Sequence, residues 1–85
     1  LSDVQSRLIT ANAYLGCNGI VQALRNGADI VITGRVADPS MVVAAAVHAF
    51  DWKLDQWDEL AGATVAGHLL ECGTHVTGGI STDWL

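Results

Sequence analysis

The stretch Gly34-Arg35-Val36-Ala37-Asp38-Pro39-Ser40 concentrates groups suited to holding an anion. A guanidinium at Arg35 can grip a carboxylate or phosphate through two parallel N–H donors. The free amides of a helix start at Pro39 favour negative charge, and Ser40 adds a hydroxyl. Gly34 lets a ligand approach the backbone closely. The plainer alternative is that Arg35 pairs internally with Asp38 and that Asp38 only caps the helix. The stretch lacks the lysine of a phosphate-binding loop and the G-x-G-x-x-G of a dinucleotide fold, so no nucleotide is implied.

His68, Glu71, Cys72 and His75 form a second set. On a helix, residues 68, 71 and 72 share a face, because three to four residues make one turn. Glu71 could orient His68 for proton transfer, and these two, with Asp38, are the candidate catalytic residues. The same side chains are metal-ligand types, but their spacing matches neither a zinc finger nor a metalloprotease, so no metal is assigned. Cys72 beside Leu69 and Leu70 reads equally as a core thiol. Thr77-Gly78-Gly79 could offer backbone amides to an anion, and Asn12 and Tyr14 lie in a small-residue segment that could line a pocket. Arg35, Asn12, Gly34, Ser40, Thr77, Gly78 and Gly79 are therefore the candidate substrate-binding residues. His48, among apolar neighbours, reads as an interior histidine, and Trp52 and Trp57 as helix anchors. Nothing in the chain identifies a cofactor.

These groups need elements to position them. Asn18 is placed to cap a short helix carrying Ile20, Val21, Ala23 and Leu24, closed by Gly27. Ala28 to Thr33 is a β-branched run without alternation, which predicts a strand buried on both faces of a parallel sheet. Asp38 as cap and Pro39 as first helical residue predict a helix over the apolar run Met41 to Phe50, interior because it has almost no polar face. Asp55 with Asp58 predicts another helix start. Gly62 and Gly67 weaken a single helix to Cys72, so two short helices are expected, the second capped by Thr64. The fold class expected is α/β, part of a layered domain with a buried parallel sheet flanked by helices.

Composition sets the class of molecule. Of 85 residues, 51% are apolar and 15% charged, with a formal net charge of -5. The bases Arg7, Arg25, Arg35 and Lys53 are scattered, which disfavours nucleic acid as a partner. No apolar run is long enough for a bilayer. Two cysteines and no leader pattern suit the cytoplasm. Unbroken runs such as Met41 to Val47 want neighbours on most sides, more than 85 residues supply. The expectation is an incomplete piece, residues 1–85 of one domain, partnered by the remainder of a parent chain or a second copy.

The segments Asn12 to Gly16, Ala28 to Asp38, Gly67 to Gly73 and Thr77 to Gly79 together resemble the N-terminal domain of the acyclic terpene utilisation (AtuA-like) family. The residues matching its recurrent motifs are Asn12, Gly34, Arg35, Asp38, His68, Glu71, Cys72, Gly78 and Gly79. Cys17-Asn18-Gly19 departs from the pattern, as does the segment beyond Gly79. The resemblance implies a catabolic enzyme of citronellol and geraniol degradation acting on a small-molecule acyl-CoA. The step it implies is a carbon–carbon lyase cleavage of a branched 3-hydroxyglutaryl-CoA type compound. The competing function is a non-catalytic binding or assembly subunit of a catabolic complex. The enzyme predicts that Arg35, Asp38, His68 and the Gly78-Gly79 loop converge on one cleft; the subunit predicts Arg35 in internal salt bridges and His68 facing the core.

Overall fold

Apolar residues at helical spacing build three helices around one small core. The computed structural model describes residues 2–79 and 83, so the departure from the family pattern beyond Gly79 lies almost wholly outside the described residues. A single helical turn, α1 (Ser2–Gln5), precedes an irregular segment. Then come α2 (Asn18–Arg25), α3 (Ser40–Ala49) and α4 (Trp57–Cys72), and a 3₁₀ turn over Gly73–Thr77. Ile20 and Val21 of α2, Val43, Ala44 and Val47 of α3, and Ala63 of α4 are the buried core. α3 contacts both other helices and lies between them. Its small side chains permit this: Ala44 and Val47 are completely buried, while Met41, Ala45 and His48 are exposed. The helix is therefore one-sided rather than interior, and His48 is a surface residue.

The α/β expectation fails. Among the described residues there is no strand and no sheet. The one pairing of extended backbone among them is an isolated parallel bridge between Leu15 and Val36, with the Ala37 amide donating to the Leu15 carbonyl at 2.8 Å. A β-branched run becomes a strand only when neighbours supply ladder partners, since β propensity mostly reports packing on a pleated surface. Ala28 to Thr33 has no such partner among the described residues. Val31 packs on the helical core, but Ile30 and Ile32 are 83% and 92% exposed. The radius of gyration, 16.4 Å, exceeds the roughly 12 Å of a compact domain of this length.

Helix boundaries differ from expectation in instructive ways. Asn18 is the first residue of α2 rather than its cap, and Gly27 ends the turn after it at φ 87°. Pro39, not Asp38, is the residue before α3, and Asp38 makes no capping bond. α4 is one continuous helix through Gly62 and Gly67, not two. The Thr64 hydroxyl donates back to the Leu60 carbonyl at 2.7 Å instead of capping a new start. At the α4 entry Gln56, not Asp55, precedes the helix and its side chain caps no helix amide; its oxygen accepts from the Lys53 amide at 2.7 Å. Trp52 packs on the core and stacks with Phe50, whereas Trp57 is 72% exposed and anchors nothing.

Candidate functional site

The turn before α3 and the last two turns of α4 meet at one point. Pro39 lies inside the turn that begins with Ala37 and is closed by Ser40, whose amide donates to the Ala37 carbonyl at 2.8 Å. Gly67 of α4 lies directly against Pro39; a methyl group there would sit 2.8 Å from the Pro39 carbonyl oxygen. Such an approach requires glycine. It brings the following turn of α4 up to Asp38, so that the Cys72 thiol lies 3.6 Å from Asp38 Oδ2.

A row of polar groups results. Arg35 has its guanidinium carbon 4.8 Å above the Tyr14 ring, and its Nη1 lies 3.4 Å from Asp38 Oδ1. The Cys72 thiol donates to Glu71 Oε2 at 2.8 Å. Arg35, Asp38 and Glu71, with Thr33, Gly34, Val36 and Met41, line an open cleft of about 370 Å³. A second cleft of about 370 Å³ shares Asp38 and is lined by Tyr14, Ala37, Pro39, Thr64 and His68. The Arg35–Asp38 pair is long, and its side chains are 52% and 41% exposed. Such a pair contributes at most about 1 kcal/mol, and an anion can displace it at little cost.

The thiol is electrostatically unusual. The hydrogen bond to Glu71, loss of solvent around the sulfur and the Glu71 charge, followed by Asp38, push the Cys72 thiol from 9.0 up to about 12. The two carboxylates thus favour the neutral thiol, which serves as a hydrogen-bond donor. Asp38, Glu71 and Cys72 are also the described residues that could hold a metal ion, with ligand atoms within 4.8 Å of one another. The sequence places His68 and His75 near such a set; the fold supplies Asp38 instead.

The other candidates scatter. His68 is exposed and lines the second cleft, and Glu71 bonds Cys72 rather than orienting His68. Ser40 is buried at the start of α3 and lines neither cleft. Asn12 is exposed and donates to Thr10 at 3.2 Å, away from both clefts. The Gly78 and Gly79 amides are taken up by the His75 and Thr74 carbonyls, and the Thr77 hydroxyl also bonds Thr74. That loop is therefore a self-contained turn outside both clefts. The role of Gly67 was missed, although its signal was there: an interior glycine that weakens a helix calls for a packing reason.

Comparison with known proteins decides the family. Residues 1–85 match the family described as acyclic terpene utilisation family protein AtuA. The chain belongs to that family. No curated protein and no solved structure matches it. The resemblance thus holds at family level, and membership assigns the chain a general catabolic role in acyclic terpene utilisation. No described helix is long and apolar enough to cross a membrane.

Proposed function

We propose that this protein is a catabolic enzyme acting on a branched acyl-CoA derived from an acyclic terpene, at a carbon–carbon lyase step. The observation that carries this is the convergence of Arg35, Asp38 and Glu71, from two separate segments, on one cleft. A cation beside two carboxylates suits a substrate that carries a carboxylate and must also lose and gain protons. In this scheme Arg35 holds the carboxylate, and Asp38 or Glu71 takes the proton from the substrate's 3-hydroxyl. The bond between C2 and C3 then breaks, C3 becomes a ketone, and the pair of electrons goes to the thioester enolate. Gly34 is the candidate for its oxygen, because the Gly78-Gly79 amides are engaged elsewhere. Protonation of the enolate, with His68 of the adjoining cleft that shares Asp38 as one source, completes an acetyl thioester.

The test is to incubate the protein with a branched 3-hydroxyglutaryl-CoA and measure acetyl-CoA and the keto acid by mass spectrometry. Product formation lost in Glu71→Gln supports the lyase. Binding of the thioester with no turnover supports the assembly subunit. Two observations favour that second reading: Arg35 is paired internally with Asp38, as that reading expects, and Ile9, Ile30 and Ile32, at 99%, 83% and 92% exposed, present apolar surface of the kind a partner covers. His68, which that reading places in the core, is exposed.

A further inference from the structure

We propose that Tyr14 is a positioning residue for anion recognition, holding the Arg35 guanidinium flat so that its N–H edges face the cleft. The inference rests on the reading of Arg35 as the anion-binding group. An exposed arginine samples many rotamers, and fixing it costs conformational entropy whenever a ligand is gripped. Here the head is held from two sides. Its guanidinium carbon stands over the Tyr14 ring, 4.8 Å from the centroid, and Asp38 lies 3.4 Å from one of its terminal nitrogens. A ring contact uses the face of the guanidinium and leaves the in-plane donors for a ligand, whereas a second carboxylate would compete for them.

The backbone explains why Tyr14 stands there. Leu15 and Val36 form the parallel bridge, reinforced by the Ala37 amide donating to the Leu15 carbonyl. In parallel register the preceding residues, Tyr14 and Arg35, lie side by side. The bridge therefore does more than join two loops: it sets Tyr14 and Arg35 next to each other. Tyr14 also borders the second cleft while Arg35 borders the first, so the pair stands at the junction of the two.

The test is calorimetric titration of the whole chain with glutarate and, separately, inorganic phosphate, which distinguishes a carboxylate from a phosphate preference. Wild type is expected to bind one of them and Arg35→Ala to lose it. Tyr14→Phe, which keeps the face, is expected to bind as wild type. Tyr14→Leu is expected to remain folded and to bind about two- to fivefold more weakly, the size of an exposed cation–π contact. Should that variant fail to fold, Tyr14→Trp serves instead and is expected to bind at least as tightly as wild type. Wild-type affinity in Tyr14→Leu alongside loss in Arg35→Ala overturns the role of Tyr14 and leaves Arg35 as the anion site. Weakened binding in Tyr14→Phe or Tyr14→Trp also overturns it. Absence of wild-type binding to either probe removes the Arg35 reading and this inference with it.

Discussion

Gly67 and Pro39 touch with no room for a side chain: a Cβ on Gly67 would stand 2.8 Å from the Pro39 carbonyl oxygen and 2.9 Å from its Cβ. The contact sets how closely α4 passes the turn before α3, and hence whether Cys72 and Glu71 reach Asp38. Adding the methyl forces the helix off. Gly67→Ala is expected to destabilise the fold by about 1–3 kcal/mol despite its better helix propensity. Gly62→Ala, with open space around it, is expected to stabilise by about 0.5–1 kcal/mol. Denaturant midpoints of the two variants measure the contrast, and equal effects of one sign would remove the Gly67 contact as the cause.

The thiol of Cys72 supplies a pH test. Its folded value is raised from 9.0 to about 12, chiefly by the hydrogen bond to Glu71. A raised value means the folded state keeps its proton where the unfolded state has lost it. Stability from this group is thus complete below about pH 9 and lost as pH rises from 9.0 towards 12. Iodoacetamide consumes thiolate, so Cys72 is expected to alkylate slowly at pH 8.5. Glu71→Gln is expected to speed that reaction several-fold, as read by peptide mass spectrometry.

Val47 is completely buried at the centre of α3. Val47→Ala removes two methyl groups at about 0.8 kcal/mol each and leaves a cavity, for a total near 2 kcal/mol. Met41→Ala, on the exposed side of the same helix, is expected to cost under about 1 kcal/mol. Thermal unfolding of both checks that the core lies where α3 faces α2 and α4.

Much of the helical framework is legible in local chemistry. The apolar spacing of Ile20, Val21 and Leu24, the Gly27 stop and the proline before Ser40 each act within a few residues. The Gly34–Ser40 stretch stands out for the same reason, since its residue types are unusual together. What local chemistry does not contain is partnership. Ile30-Val31-Ile32 has the composition of a buried strand, yet composition cannot supply a neighbouring ladder. The break expected at Gly67 fails because tertiary packing at Pro39 outweighs the propensity cost. Asp38 joins Cys72 across 34 positions of chain, a distance no motif spacing reports, and so His68 rather than Asp38 looks like the natural neighbour of Glu71.

The central claim is that Arg35 anchors an acyl-CoA carboxylate or phosphate in the cleft it shares with Asp38 and Glu71. Ligand that binds only the folded state raises its unfolding temperature, so the direct measurement is thermal unfolding with CoA and a panel of branched acyl-CoAs. The proposal predicts a concentration-dependent rise with the branched acyl-CoAs that disappears in Arg35→Ala. That variant should itself unfold near the wild-type temperature, because its exposed pair with Asp38 contributes at most about 1 kcal/mol. An equal rise in wild type and Arg35→Ala, or no rise with any member of the panel, would contradict the claim.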